Sequence, residues 1–167
     1  MPGLLCAVFR KNQRLKNAEK PILLYGMGNG ADKIIHVLEK KGIPFNGIFA
    51  SDGFVKPKVF HGFPIESYSA LKERFGEMIV LLCFGTHLPE VMENIKKIAS
   101  EQEFYAPDVP VVGEGLFDSE LCLHKKAELE QTYSLLADDK SKQTFENVIK
   151  YRLSGDISYL FDCEADV

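Results

Sequence analysis

The sequence predicts an α/β protein in which about four or five strands form an open parallel sheet with helices on both faces, followed by a C-terminal helical extension. Short apolar runs alternate with helix-like segments up to about residue 110, which predicts the sheet. The run Met78–Phe84 is apolar without interruption, as expected for a central parallel strand. After about Leu116 only the helical period remains, which predicts the extension.

The clearest predicted elements are one strand and the helix that follows it. Ile22–Tyr25 is an apolar strand that runs into a glycine-rich turn. The helix that follows ends at Gly42, because glycine readily adopts the left-handed conformation that terminates a helix. Its predicted buried face is spaced at helical intervals and consists of Ala31, Ile34, Ile35 and Leu38.

The other elements follow from the same two signals, which are short apolar runs for strands and helical spacing for helices. In chain order they are a strand at Gly47–Ala50, a short hairpin around Val59, a helix capped by Ser67 and ended by Gly76, the strand at Met78–Phe84, a helix with Val91, Ile95 and Ile98 on one face, and a strand at Phe104–Ala106. The predicted buried positions of the extension are Leu121, Leu129, Tyr133, Leu136, Phe145, Val148 and Ile149. We therefore divide the chain into an N-terminal arm (1–17), an α/β domain (18–112) and a helical extension or linker (113–167).

Composition excludes several classes of function. The net charge is −4 and the pI about 5.6, so nothing attracts the chain as a whole to nucleic acid or anionic membrane. Its longest apolar run is far too short to span a bilayer. The four cysteines are widely spaced, which indicates neither a zinc site nor a disulfide framework. We expect a cytoplasmic protein without a metal site.

The turn after the first strand carries the main functional signal. Gly26, Gly28 and Ala31 fit the pattern G-x-G-x-x-G/A of Rossmann-like dinucleotide-binding domains. The glycines permit a tight turn and close approach of a phosphate, and the start of the next helix attracts anions. Asp52 follows the second strand, where an acid binds ribose hydroxyls. An empty β–α turn is the structural alternative.

The loop after the predicted strand Met78–Phe84 lies at the same edge of the sheet. It contains Gly85, Thr86 and His87. We predict that Thr86 caps the next helix, and that His87 donates to a phosphate or acts as a base, although an exposed polar residue is the simpler interpretation. Since no acid or nucleophile accompanies His87 in the sequence, we predict no catalytic residue.

Several ligands remain open at this point. NAD(P) suits the glycine turn and Asp52, but little chain remains after the sheet for the substrate domain of an oxidoreductase. S-adenosylmethionine is disfavoured because Leu24 stands where methyltransferase glycine loops carry an acid. A further alternative is a module without ligand that serves assembly or targeting, in which the helical extension forms a homodimer.

Three segments carry a family resemblance: "ILLYGMGNGADKIIHVLEKKGIPFNGIFASD", "FHGFPIESYSALKERFG" and "VLLCFGTHLPEVMENI". They resemble the nucleotide-sugar-binding N-terminal domain of bacterial sugar acyltransferases and the N-terminal region of FkbM-family methyltransferases. The segment "YSLLADDKSKQTFENVIKYRLSGDISYL" resembles the FkbM stretch that leads into the catalytic domain.

This resemblance implies a non-catalytic N-terminal module whose parent protein methylates a substrate through a further domain. By the same resemblance, Gly26, Gly28, Asn29 and Gly30 line the phosphates of a nucleotide sugar, and Asp52 binds its ribose. The implied partners are that small-molecule nucleotide and the catalytic domain of the same protein.

Overall fold

The computed structural model describes residues 14–55, 58–109 and 115–163. The chain forms two compact units: the first comprises Arg14–Ala106, and the second the described residues from Pro107 onward. Most of the predicted arm and the predicted domain boundary at residue 112 lie outside the described residues. The predicted domain limits therefore stay predictions.

The first unit is built around one six-stranded sheet. Its strands are β1 (Ile22–Tyr25), β2 (Gly47–Ala50), β3 (Val59–Phe60), β4 (Phe63–Ser67), β5 (Ile79–Leu82) and β6 (Glu103–Tyr105). Their order in the sheet is β3-β4-β2-β1-β5-β6, and all neighbouring strands are parallel except β3 and β4, which form an antiparallel hairpin at one edge. This confirms the predicted α/β fold class, and the predicted hairpin around Val59 consists of β3 and β4.

Three helices connect these strands: α1 (Asn29–Lys40), α2 (Tyr68–Phe75) and α3 (Pro89–Glu101). A short 3-10 turn, Asp52–Phe54, follows β2. The four residues predicted for the inner face of α1 are all buried, because the helix packs its apolar stripe on the sheet. The strands β1, β2 and β5 are buried along their whole length and form the core.

The predicted helix ends of α2 are confirmed. The Ser67 hydroxyl accepts a hydrogen bond from the backbone N–H of Ala70 at 3.2 Å. Gly76 ends the helix with a φ of 70°, a conformation that costs glycine little.

The hairpin that joins β3 to β4 turns within two residues. His61 and Gly62 have φ angles of 49° and 80°. Positive φ at both central residues is characteristic of the type I′ turn, whose twist matches that of the flanking strands. The turn therefore explains why a histidine adopts a conformation that side chains usually avoid.

The second unit is helical, as predicted. Its helices are α4 (Ser119–His124), α5 (Lys126–Leu135), α6 (Asp139–Ser154) and α7 (Ser158–Phe161). Asp118 and Asp138 cap α4 and α6 through backbone N–H groups, and Gly155 ends α6 in the left-handed conformation.

The predicted core of this unit is largely wrong. Only Ile149 is buried, whereas Leu121 and Val148 are exposed and the other four positions are half-buried. Helical spacing identifies an apolar face, but here too few neighbouring elements cover it. Among the described residues, no helix combines the length and the apolar character needed to cross a membrane.

Candidate functional site

The strand order creates a crevice at one edge of the sheet. From β1 the chain proceeds to β2 on one side, while β5 lies on the other side of β1. In open α/β sheets, ligands bind at the carboxyl ends of strands where the order reverses in this way. The turn after β1 and the loop after β5 border this switch point, so Gly26, Gly28 and the segment Gly85–His87 flank one crevice.

The glycine turn is anchored to both neighbouring strands. The Gly26 amide donates to the Phe49 carbonyl at 2.8 Å, and the Cys83 amide donates to the Tyr25 carbonyl at 2.9 Å. Gly26 and Gly28 have φ angles of 105° and 104°, in the region that favours glycine. The turn is therefore a fixed part of the sheet.

The first glycine serves packing as well as conformation. A Cβ on Gly26 would lie 2.4 Å from Cδ1 of Phe84, whose ring covers the glycine. Phe84 also packs edge-on against Tyr25, with ring centroids 5.0 Å apart. Gly26 thus lets an aromatic residue from the loop after β5 close against β1.

The second glycine leaves open space. A Cβ on Gly28 would meet no heavy atom within 4 Å beyond its chain neighbours. Gly28 also precedes α1 as its N-cap residue, and the first turn of α1 has no side-chain cap. Uncapped N–H groups at a helix start favour a bound anion. Gly28 is therefore the glycine whose missing side chain leaves room for a ligand.

Gly30 is required for close packing. A Cβ there would lie only 1.9 Å from the Cys83 carbonyl oxygen, so the close contact between α1 and β5 requires glycine at this position. Ala31, the last position of the glycine pattern, is also fully buried, but Gly30 makes the closer approach. Its contact with a phosphate stays a prediction, as does that of exposed Asn29.

Asp52 lies in the turn after β2, as predicted, and its carboxylate already has partners. It accepts hydrogen bonds from the backbone N–H of Ser69 at 3.2 Å and from the Ser69 hydroxyl. The same edge carries a buried hydrogen bond between the hydroxyls of Tyr25 and Ser51. Burial raises the pKa of Tyr25, so this phenol stays protonated. A ribose contact by Asp52 stays a prediction.

The loop after β5 differs from its predicted geometry. α3 begins at Pro89 with Leu88 as its N-cap, so Thr86 does not cap the helix. The Thr86 hydroxyl instead accepts from the Leu88 N–H at 3.2 Å, which forms a local turn ahead of the helix. Gly85 and His87 are exposed, and the described residues contain no group of three metal-binding side chains.

One residue pair was overlooked in the sequence. Tyr68 and Lys72 have the Tyr-x-x-x-Lys spacing of a catalytic pair found in some NAD(P)-dependent oxidoreductases. The Tyr68 hydroxyl, however, donates to Glu101 Oε2 at 2.7 Å, and Lys72 binds the same oxygen at 2.7 Å. Burial, together with Glu101, raises the pKa of Tyr68 to about 12. A tyrosine that acts as a base needs a lowered pKa, so the geometry argues against this role.

A second pair has no signal in the sequence. His61 Nε2 lies 2.7 Å from Asp32 Oδ1, although the two residues are far apart in the chain. Asp32 is in the first turn of α1, directly after the glycine turn. Both side chains are about half exposed. The contact joins the first turn of α1 to the turn between β3 and β4.

The parallel sheet and its connecting helices define a Rossmann-like α/β fold. No protein-family model and no curated protein matches this chain. A solved structure does: the methyltransferase FkbM from Methylobacillus flagellatus KT, with a TM-score of 0.56 and 12% sequence identity.

The match covers 98% of this chain, helical unit included, and 50% of the other protein. This chain therefore spans about half the length of that methyltransferase. At this identity the likeness shows the fold alone, and membership of the FkbM family stays a prediction. The similarity to sugar acyltransferase domains stays a prediction.

Proposed function

We propose that this chain is a nucleotide-binding module, with a nucleotide sugar as its ligand, that serves an FkbM-like methyltransferase domain of the same protein. The observation that carries this proposal is the open space at Gly28, next to the uncapped start of α1 and at the switch point of the sheet. Phosphate oxygens suit this position, because backbone N–H groups and the helix dipole both favour negative charge.

The other part of a nucleotide would extend towards β2. Asp52 lies after β2, the neighbour of β1, and a carboxylate has about four acceptor positions. Two of its hydrogen bonds go to Ser69, so acceptor capacity remains for ribose hydroxyls. On this proposal Asp52 both fixes the start of α2 and binds the sugar ring of the nucleotide.

Methyl transfer belongs, on this proposal, to a part of the protein outside this chain. Methyltransferase glycine loops carry an acid at the position of Leu24. Leu24 is apolar and fully buried, so this position offers S-adenosylmethionine no carboxylate. His87 is exposed in its loop. The methyltransferase link rests on the fold likeness to the FkbM protein, of which this chain matches half.

A second candidate role, assembly through the helical extension, is favoured by one observation. Leu121, Leu123 and Leu135 are exposed in the second unit, and Leu135 is 78% exposed. Exposed apolar residues in one segment are typical of a surface that another domain or a second copy covers. This role is compatible with ligand binding by the first unit.

Calorimetry with UDP-glucose, GDP-mannose, NADH and S-adenosylmethionine tests the binding proposal. We expect heat with a nucleotide sugar and none with S-adenosylmethionine. Gly28→Ala should weaken binding at least about tenfold, which is about 1.4 kcal/mol. The methyl group would enter the phosphate space, and the strained backbone would cost about 1–3 kcal/mol of stability.

Gly42→Ala is the matched control. Gly42 also has a positive φ, 64°, and open space around its Cβ position, but it lies at the other end of α1. This variant should bind like the wild type. The proposal fails if no ligand gives heat or a thermal shift, or if both variants lose affinity equally.

A further inference from the structure

We infer that residues 14–21, which precede β1, form a strap that holds the edge strand β6 in the sheet. The strap lies at the amino ends of the parallel strands, whereas the candidate site lies at their carboxyl ends. The two regions therefore occupy opposite edges of the sheet. The strap is a conformational device of the fold, and it does not depend on the proposed function.

The strap passes the starts of two neighbouring strands. On this side of the sheet the order of the strands is β1-β5-β6, and residues 14–21 lead into β1. Lys20 Nζ lies 2.8 Å from Oε2 of Glu77, which closely precedes β5. The Arg14 guanidinium binds Glu103, the first residue of β6. The segment therefore extends from β1 past the start of β5 to the start of β6.

The far anchor of the strap is a shielded, bidentate ion pair. Nε and Nη2 of Arg14 donate to the two carboxylate oxygens of Glu103, and the Tyr105 hydroxyl donates to Oε1 of the same carboxylate at 2.6 Å. The Glu103 side chain is only 14% exposed. The hydrogen bonds from Arg14 make the largest contribution to lowering the pKa of Glu103, and Lys20 acts in the same direction. Single surface ion pairs contribute little to stability, but bidentate pairs within a network are stronger.

The strand β6 has few other contacts that hold it in place. It is three residues long and pairs with β5 alone. Gln102, directly before β6, is tied to the residues before β5, because its side chain accepts from the Met78 N–H at 2.9 Å and donates to the Gly76 carbonyl at 3.2 Å. Arg14 adds an anchor on the strand itself. Loss of this anchor should let β6 separate from β5 more often, while the central strands stay paired.

Native-state hydrogen exchange, followed by NMR, tests the strap. Arg14→Met keeps an unbranched side chain but removes the charge and both donors. We expect the amide protons of β6 that bond to β5 to exchange at least about fivefold faster in this variant, and those of β1 to exchange as in the wild type. Arg14→Lys keeps the charge but cannot donate two parallel hydrogen bonds, so its effect should lie between those of Arg14→Met and the wild type.

Arg74→Met is the matched control. Arg74 of α2 forms the same kind of bidentate pair with Glu66 of β4, at 3.0 and 2.8 Å, and its loss should leave the exchange of β6 unchanged. The inference is overturned if Arg14→Met does not accelerate exchange in β6, if it accelerates exchange in β1 equally, or if Arg74→Met has the same effect on β6. No ligand takes part in this measurement, so none of these outcomes bears on the proposed function.

Discussion

The two units of the chain are stabilised in different ways. In the first unit the central strands β1 and β5 are buried at every position, and each pairs with two neighbours. In the second unit α5 has no buried residue. The first unit therefore obtains its stability from contacts between distant parts of the chain, whereas the second depends far more on local contacts.

The local contacts of the second unit can be named. Asp118 and Asp138 each accept a hydrogen bond from a backbone N–H in the first turn of their helix, at 2.9 and 2.8 Å. Arg152 of α6 is a longer-range exception, because it donates to Asp108 at 2.7 Å and its guanidinium lies 4.6 Å from the centre of the Phe117 ring. The glycine turn of the first unit is instead fixed by backbone hydrogen bonds to both neighbouring strands.

Gly30→Ala should produce the largest effect, because the first unit leaves no room for a side chain at this position. The new methyl group would lie 1.9 Å from the Cys83 carbonyl oxygen, so α1 must move away from β5. We expect a loss of more than about 3 kcal/mol in the free energy of unfolding, measured by urea denaturation.

Gly53→Ala is the control. It separates the steric conflict at Gly30 from the general effect of replacing a glycine by alanine. Gly53 has ordinary φ and open space around its Cβ position, so Gly53→Ala should change stability by no more than about 0.5 kcal/mol. Similar losses in the two variants would show that the contact between Gly30 and Cys83 does not constrain the fold.

Two leucine truncations sharpen the comparison between the units. Leu71 is fully buried in the first unit, and Leu71→Ala should cost about 2–5 kcal/mol. Leu135 is exposed, and Leu135→Ala should cost no more than about 0.5 kcal/mol in the isolated chain. Thermal unfolding measures both effects. A large loss for Leu135→Ala at constant monomeric mass in light scattering would show that the second unit has a core of its own.

The same experiment addresses the assembly role. If Leu135 belongs to a surface between two copies, light scattering of the wild-type chain gives a mass above that of the monomer, and Leu135→Ala lowers it. A monomeric mass for both proteins would remove self-association and leave another domain as the candidate partner.

The sheet could be predicted because its signals are local and repeated. The apolar strands Ile22–Tyr25 and Gly47–Ala50 were located with correct bounds, and so was the buried face of α1. The burial of the extension could not be predicted in the same way. Helical spacing places Leu121 and Val148 on an apolar face, but whether anything covers that face depends on other elements.

The candidate site likewise combines features that the sequence indicates with features that depend on the fold. The pattern around Gly26 and Gly28 is a short motif, so sequence alone indicates it. Which glycine faces open space depends instead on Phe84 and Cys83, which belong to a strand and loop far along the chain. The contact between His61 and Asp32 likewise depends on how the hairpin folds.

The smallest effect that we expect concerns acid and the capping of α6. The Asp138 carboxylate accepts from the backbone N–H of Ser141 at 2.8 Å and from its hydroxyl at 2.8 Å. The hydrogen bond from the backbone N–H makes the larger contribution, and together the two bonds lower the pKa of Asp138 below its ordinary value of 3.8. Because the folded pKa is the lower one, the contribution to stability is present above about pH 4 and is lost as the pH falls through the folded value.

Other carboxylates titrate in the same range, including Glu103, whose pKa Arg14 lowers in the first unit. A local probe is therefore needed, and the amide proton of Ser141 in NMR supplies it. The chemical shift of this amide proton should follow the protonation of Asp138 in the wild type. Asn at this position also accepts the hydrogen bond but does not titrate, so Asp138→Asn should abolish that pH dependence and change the melting temperature by a few degrees at most. A pH dependence of the Ser141 amide shift that persists in Asp138→Asn would contradict the capping role. Interactions other than the Asp138 cap would then stabilise the start of α6.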